Sequence, residues 1–335
     1  MESLNYRNAS APREEPVRTD SAAEESGVDR MMSNLKAYFR QRPELNCLVV
    51  IDPSRAGLPE SLEETTAVAD LPHAVVTVAH EAYPDEHRPY LVQLDLGTSV
   101  GMEWLAESVR LAFEDRHPES VAQGLGQRIG GWLATSSPAD AVAAHWSQHV
   151  LQTDDRGRQC ALRFYDSRAL GLLWPMLLSE QRQALLGPVS AWHAIDACAR
   201  PCIYTNKTRA ASSLGLTGEQ WRSIHRHGLI NRALGIHMLN TGRQPEPHDV
   251  EAAVASAARA DQYGLVDRDD KVAFIGHSLA WHPQFDRHPK VQRALRQMNP
   301  DDFYTAAVGE LGKDEIEEIR RGDWANEKSL AVTTR

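Results

Sequence analysis

Hydrophobic residues follow two different spacings along this chain. Up to about residue 205, short runs rich in β-branched and aromatic residues alternate with longer segments whose apolar residues recur every three or four positions. The first pattern is typical of strands and the second of amphipathic helices. The predicted strands are 46–51, 74–78, 90–94, 128–135, 162–165 and 189–195, and the predicted helices include 101–116 and one that begins at 137–138. This alternation predicts an α/β lobe built around a mixed sheet.

After Thr205 the strand signal fades, and helix-like or apolar segments continue towards the end of the chain. Thr217 and Gln220 have the spacing of a capping box, which marks a helix N-terminus. The later segments are 217–239, 248–265, 271–280, 291–298, 300–311 and 314–321. We therefore expect the fold class to be α/β (α+β), with an N-terminal mixed-sheet α/β lobe followed by an all-helical C-terminal lobe.

The first residues of the chain differ from this pattern. Residues 1–29 contain almost no large apolar side chain, so they cannot bury enough surface to offset their conformational entropy. We expect a disordered tail over 1–29, the α/β lobe over 30–205, the helical lobe over 206–325 and a flexible tail over 326–335.

Charge and cysteine usage narrow the choice of partner and compartment. The 335 residues carry a net charge of -10 and contain no cluster of lysines and arginines. A protein that binds the phosphate backbone normally has a basic surface, so we expect no nucleic-acid partner. The cysteines are few, and Cys47 and Cys160 lie in apolar runs where cysteine acts as a small hydrophobic residue, which indicates a reducing compartment.

Neither a signal peptide nor a membrane span is expected. The first 28 residues lack the apolar region of a signal peptide. The longest apolar run, 169–178, is interrupted by Pro175 and is too short to cross a bilayer. We therefore expect a cytoplasmic protein without a membrane partner.

The segment Gly276-His277-Ser278-Leu279-Ala280 imitates the turn that carries the nucleophile of a serine hydrolase. The second glycine of that motif is replaced by Ala280, and the 55 or so residues that follow contain no further strands. Asp286 and His288 also lie too close to Ser278 in the sequence to come from separate loops. A serine hydrolase that uses Ser278 is therefore kept only as the alternative function.

Metal and cofactor sites receive little support. The residue types that bind zinc are present, but their spacing matches no zinc motif, and the residues in question are His193, Cys198, Cys202, His225 and His227. The acidic run 267–270 is better explained as a helix N-terminus than as a calcium loop. The glycine pairs in the chain open no phosphate-binding loop. We expect neither a metal nor a cofactor.

Charged residues stand in apolar surroundings at 163–168. Asp166 is a good N-cap for a helix that follows at once, and Arg163 or Arg168 can pair with its carboxylate. In the structural interpretation these contacts satisfy buried charge. In the functional interpretation one arginine faces a partner, because arginines and aromatic residues are the usual anchors of interfaces.

Several short segments of the first lobe occur together in an order typical of one protein family. They are 90–94, 130–136, the helix with His145-Trp146, 162–168 and 186–189. In this order they resemble the effector chaperones, or adaptors, of the bacterial type VI secretion system. Two positions depart from the family pattern, since Ser167 stands where proline is usual and Trp146 where a leucine-like residue is more usual.

The resemblance implies a non-enzymatic protein that binds a secreted toxin effector and helps to load it onto a VgrG-type spike protein. Partner contacts would come from edge strands, from groove-lining aromatic residues and from an arginine. The candidate partner-binding residues are Arg163, Tyr165, Asp166, Arg168, Trp174 and Trp192. We also hypothesise that the α/β lobe serves a shared task while the helical lobe selects the cargo.

Overall fold

A computed structural model describes residues 20–53, 71–122, 126–205, 213–299 and 302–325. Two sheets are found there, one of six strands and one of two. The strands are β1 (Asn46–Ile51), β2 (His73–Val75), β3 (Tyr90–Leu94), β4 (Ile129–Thr135), β5 (Leu151–Thr153), β6 (Gln159–Ala161), β7 (Val189–Ile195) and β8 (Pro201–Tyr204). The large sheet has the order β2-β3-β1-β4-β7-β8, and β5 pairs with β6.

Each strand pair of the large sheet is antiparallel, in contrast to the mixture of directions expected from the sequence. The alternation of strand and helix suggested parallel neighbours, because a helical crossover usually joins them. Here β3 and β4 do run parallel, joined by a helix over Ser99–Glu114, but β1 lies between them and pairs with both. Strand β1, which comes earlier in the chain, therefore lies between the two parallel strands that this helix connects.

Helices cover both faces of the sheet and form the whole of the second lobe. They are α1 (Asp20–Arg40), α2 (Ser99–Glu114), α3 (Pro118–Ala122), α4 (Ala139–Ser147), α5 (Ser167–Leu173), α6 (Ser179–Leu186), α7 (Gly218–Ile224), α8 (His227–Thr241), α9 (Pro247–Gln262), α10 (Arg268–Ala280), α11 (Pro289–Gln297), α12 (Tyr304–Gly309) and α13 (Lys313–Arg321). Short 3₁₀ helices occur at Asp85–His87, Trp174–Met176 and Phe285–Arg287. The predicted fold class, a sheet-containing lobe followed by a helical lobe, is confirmed.

The sheet buries a separate hydrophobic core on each face. Alternate residues of β4 divide between the two cores, with Trp132 on one face and Leu133 on the other. Helices α1 and α2 cover the Trp132 face, while α4, α5 and α6 cover the Leu133 face. A sheet that is covered on both faces has strands with buried side chains on both sides, and all seven residues of β4 are buried.

The N-terminal helix starts earlier than the sequence predicted. Disorder was expected up to residue 29, but α1 begins at Asp20, so the expectation is wrong for residues 20–29. The helix continues because it packs on α2, where Gly27 lies so close to Phe113 that a Cβ would stand 2.7 Å from the Phe113 ring. The remainder of that tail and the predicted tail at 326–335 lie outside the described residues.

The helical lobe has two cores of its own. Helices α8, α9 and α10 share the first, to which Leu172 of α5 adds a side chain from the α/β lobe. The second joins α10 to the last three helices around Phe274, Phe285 and Tyr304. Between the lobes, the buried amides of Gln181 on α6 and Gln220 on α7 exchange hydrogen bonds of 3.0 and 2.7 Å.

Candidate functional site

The segment that carries Arg163 to Asp166 is a turn, although the sequence predicted a strand over 162–165. Strand β6 ends at Ala161, and the chain then folds on itself. The N–H of Phe164 donates to the carbonyl of Leu162 at 2.9 Å, and the N–H of Asp166 donates to the carbonyl of Arg163 at 3.1 Å. Apolar side chains are as frequent in this turn as in a strand because Leu162, Phe164 and Tyr165 all enter the core of the Leu133 face.

The turn lies directly against β4. A Cβ on Gly130 would stand 2.0 Å from the carbonyl oxygen of Tyr165, so only glycine fits at that position. The register of β4 against β1 also shifts there, since Val50 pairs with Gly131 and Ile51 with Ile129. Such a bulge leaves one residue without a partner on the neighbouring strand and locally bends the chain. Gly130 is thus explained by the close approach of the 162–166 turn, whereas Gly131 has φ of 133° and lies against the His193 carbonyl and the Trp192 side chain of β7.

A second pair of motif residues meets in the same way. Gly187 has φ of 56°, and a Cβ there would stand 2.2 Å from the ring of His145. The Nε2 atom of His145 lies 2.7 Å from the carbonyl oxygen of Ala184 and so fixes α4 to the end of α6. The segments that carry the family resemblance therefore make contacts that hold the scaffold together.

Asp166 and Arg168 form a compact charged pair at the start of α5. The Asp166 carboxylate caps the helix by accepting the N–H of Arg168 at 2.9 Å. The same carboxylate accepts the Arg168 guanidinium through Nη2 at 2.8 Å and Nε at 3.1 Å. Burial by itself would raise the pKa of Asp166, but the charge and hydrogen bonds of Arg168, together with Arg163, outweigh it and lower this pKa to about 2. The predicted N-cap is confirmed, and Asp166 is ionised at neutral pH.

Arg163 pairs with an acid that the sequence did not single out. Its Nη2 atom lies 2.6 Å from Oδ2 of Asp52, the residue that follows β1. The Asp52 side chain is fully buried, whereas 43% of the Arg163 side chain is exposed. The guanidinium also lies 5.8 Å from the centre of the Tyr165 ring. Arg163 thus neutralises a buried charge and still presents part of its guanidinium to solvent.

The three aromatic candidates differ in how deeply they are buried. Trp192 is fully buried, packs with its ring centre 4.8 Å from that of Trp146 and donates to the carbonyl of Gly130, so the expectation that it lines a groove is wrong. Its position in the middle of β7, covered by α4, explains this burial. Tyr165 is also buried, and its hydroxyl lies 2.9 Å from that of Tyr83. Trp174 is half-buried and packs 5.0 Å from Tyr204.

A cleft of about 690 Å³ opens where the two lobes meet, and three of the six candidate residues line it. One wall is formed by residues of the 161–173 segment and the other by α8, and Val121 and Ile224 also line the cleft. The polar and charged lining side chains are Arg163, Asp166, Arg168, His227, Asn231 and Arg232. This volume lies within the range of about 300–1,000 Å³ typical of ligand pockets.

The α8 wall was missed by sequence reasoning. His227 is 8% exposed, and among the described residues its Nε2 atom is buried without a hydrogen-bond partner. Burial lowers the pKa of His227 to about 4, so the ring is neutral at pH 7. The sequence indicates His227 only as a potential zinc ligand and gives no reason to select Arg232. Only the packing of α8 against α5 and α3 brings them opposite Arg163.

Ser278 does not occupy the turn that a hydrolase nucleophile needs. It lies inside α10, is 1% exposed, and donates to the carbonyl of Ile275 at 2.7 Å as well as lying 2.9 Å from the Ser256 hydroxyl. A nucleophile of that family instead projects from a strand-to-helix turn. The segment 276–280 is therefore part of a helix, and it resembles the hydrolase motif in sequence alone.

The zinc-binding residue types are not brought together. In the described part of the chain, one group of three potential ligands comes within 4.8 Å, and it consists of Asp154, Asp155 and His225. The Asp154 carboxylate already accepts the N–H groups of Arg156 and Arg158 and the guanidinium of Arg158. Asp154 and Asp155 therefore belong to the tight turn between β5 and β6, and His225, which follows α7, lies 3.4 Å from the Asp154 carboxylate.

No helix among the described residues combines the length and the apolar character needed to cross a bilayer. Searches among curated proteins and among solved structures gave no match. Residues 51–184, which include the charged wall of the cleft, match the model of a family described as a domain of unknown function, DUF4123. That family is associated with adaptors of type VI secretion effectors.

Proposed function

We propose that this protein is a non-enzymatic adaptor that binds a type VI secretion effector in the cytoplasm and helps to load it onto a VgrG-type spike. The observation that carries the proposal is the position of the cleft. Its first wall belongs to the segment that matches the adaptor-associated family, and its second wall belongs to the helical lobe beyond the match.

The chemistry of the cleft supports binding in preference to catalysis. Asp166 is held ionised by Arg168 and caps a helix, which leaves it unsuited to donate or accept a proton near neutral pH. Arg163 and Arg232 line the cleft and are partly exposed. Guanidinium groups of this kind are common anchors of protein interfaces.

The two walls suggest a division of labour. The family match ends at residue 184, within α6, so α8 lies in the part of the chain that the family model does not cover. In our proposal the α/β lobe carries the task common to such adaptors, which is contact with the spike, and the helical lobe chooses the effector. Exchange of 213–325 for the helical lobe of another adaptor is expected to change which effector is bound, and unchanged cargo choice would refute the division.

Co-expression tests the proposal directly. The tagged chain would be produced together with the proteins encoded beside it, purified, and the co-eluting proteins identified. Recovery of a large toxin or of a spike protein in stoichiometric amount is expected. Elution of the chain alone, with each neighbour soluble and present, would contradict the adaptor function.

A further inference from the structure

We infer that the cleft between the lobes is the docking site for an acidic peptide segment with apolar anchors, contributed by a protein partner. The inference rests on the adaptor function proposed above and adds the chemistry of the segment that is recognised. Three features of the cleft support it: its hydrogen-bond donors, the buried Nε2 atom of His227, which has no partner among the described residues, and its continuation along α8.

The exposed polar groups of the cleft are dominated by donors. Arg163 and Arg232 are 43% and 60% exposed, and a guanidinium offers five N–H donors but no acceptor. The ion pair of Arg232 with Asp269 uses only some of the donors of that guanidinium. Asp52 is buried behind Arg163, and the Asp166 carboxylate is taken up by Arg168 and the α5 cap. A ligand rich in carboxylates complements such a surface.

His227 supplies a second and independent sign of a missing partner. It stands at the first position of α8 and lines the cleft, and its buried Nε2 atom has no partner in the described part of the chain. Leaving a buried polar atom unpaired is energetically costly, so such atoms usually face a ligand or water. A neutral imidazole can donate through Nε2 to a carboxylate or a backbone carbonyl.

The cleft continues past α8 into a second groove of about 730 Å³, with Arg232 and Ile236 lining both. Together the linings contain five arginines and two aspartates, and no lysine or glutamate. Arg243 and Arg320 in the second groove are also paired, with Asp249 and Glu317, and are 42% and 46% exposed. An elongated surface of this kind suits a peptide better than a small anion.

Apolar anchors are expected because the same surface exposes hydrophobic side chains. Ile236 on α8 lines both the cleft and the second groove and is 40% exposed, and the half-buried Ala169 lines the cleft from the α5 wall. Peptides that dock in grooves typically bury a few apolar side chains while polar groups fix their register. The overall charge of -10 disfavours acidic ligands elsewhere, so binding should depend on this arginine-lined surface.

The test uses a fluorescent peptide of about 12 residues that alternates leucine pairs with glutamate and aspartate. A matched peptide carries glutamine and asparagine at the acidic positions. Fluorescence anisotropy with the full chain is expected to show at least about tenfold tighter binding of the acidic peptide at low salt, with the difference shrinking as salt screens the charges. Equal affinity for the two peptides, or binding of neither, would overturn the inference.

Variants locate the binding. Arg232→Glu is expected to weaken acidic-peptide binding by about tenfold or more, whereas Arg321→Glu is the matched control, because Arg321 is 66% exposed and likewise pairs with an exposed aspartate. His227→Phe keeps a buried ring but removes Nε2 and should weaken binding by about three- to tenfold. If Arg232→Glu lowers helix content in circular dichroism, Arg232→Gln replaces it. Equal effects of the Arg232 and Arg321 variants would place binding elsewhere and refute the site.

Failure here is distinguishable from failure of the adaptor function. A chain that co-elutes with its effector but ignores peptide charge, and whose Arg232→Glu variant captures the effector normally, refutes the acidic-peptide site and leaves the adaptor function standing. A chain that captures no neighbour refutes the adaptor function whatever the peptide result.

Discussion

In the segments that resemble the adaptor family, individual residues are important because they leave space for one another to pack closely. Gly130, Gly187 and His145 were singled out in the sequence as parts of a pattern, without a physical reason. In the structure Gly130 admits the Tyr165 carbonyl and Gly187 admits the His145 ring. Such contacts join positions 35 and 42 residues apart in the sequence, which local spacing cannot predict.

Replacement of Gly130 tests this directly. In Gly130→Ala the new Cβ would stand 2.0 Å from the Tyr165 carbonyl oxygen, so the turn or β4 must move. We expect the free energy of unfolding to fall by at least about 2 kcal/mol, measured by urea denaturation. Gly276→Ala is the control, because it lies in α10 with open space around its Cβ and should change stability by less than about 1 kcal/mol. Equal stability of the two variants would show that the close approach is unimportant.

At the scale of elements, the sequence predicted correctly those strands whose apolar residues form a continuous run and are mostly buried. The bounds of β1, β3 and β7 agree with the predicted 46–51, 90–94 and 189–195, and the capping box of Thr217 and Gln220 is present. Each of these strands is mostly buried, so its apolar run is continuous.

Short or exposed strands escaped prediction. Strands β5 and β8 contain only three and four residues, too few to show a recognisable alternation of apolar and polar side chains. The turn at 162–166 was misread as a strand for the opposite reason, because its side chains are buried without being extended. Sequence spacing reports which side chains are buried, and an irregular segment that enters a core gives the same signal as a strand.

One buried ion pair fixes α2 to β4, and its removal should loosen both elements. After α2, the Asp115 carboxylate accepts the N–H of Arg128 at 2.7 Å and its guanidinium at 2.6 and 2.9 Å. Asp115→Ala leaves Arg128 buried without this partner and is expected to cost about 3–5 kcal/mol of unfolding free energy.

Two further variants check the interpretation of that pair. Asp115→Leu combined with Arg128→Met should recover much of the loss, because neither charge is then buried. Glu107→Ala breaks the more exposed pair with Arg110 and should cost less than about 1 kcal/mol. A loss for Asp115→Ala no larger than that of Glu107→Ala would contradict the structural role of the buried pair.

For the whole molecule, the arrangement of the two lobes could not be read from the sequence. The boundary near residue 205 was predicted, and β8 ends at Tyr204 while α7 begins at Gly218. Nothing in the spacing of hydrophobic residues predicts which helix of the second lobe faces Arg163. The cleft depends on packing across that boundary, through Leu172 and the Gln181–Gln220 pair. The sequence therefore indicated the wall that contains Arg163, Asp166 and Arg168, but it did not indicate the wall formed by α8.

Buried neutral histidines should make the whole molecule sensitive to acid. Burial lowers the pKa of His193, beside Arg42, and of His227 to about 4. The unfolded chain takes up protons near its ordinary pKa of about 6.5, so folded stability is full above that pH and falls as pH drops towards 4. We expect the unfolding free energy to decrease by a few kcal/mol, roughly, between pH 7 and 5, as measured by urea denaturation.

The histidine contribution can be separated from that of other groups. His227→Phe replaces the buried imidazole with a ring that takes up no proton, so it should reduce the slope of stability against pH. A slope that His227→Phe does not alter would mean that His227 takes up its proton as readily in the folded state as in the unfolded state.

The central claim is that this chain binds an effector protein. Titration calorimetry of the purified chain with the purified toxin encoded beside it, at two temperatures, measures that binding most directly. Our account predicts saturable binding with a dissociation constant in the micromolar range or tighter, weakened by Arg232→Glu and not by Arg321→Glu. No heat at either temperature, with both proteins folded and at tens of micromolar, would contradict it.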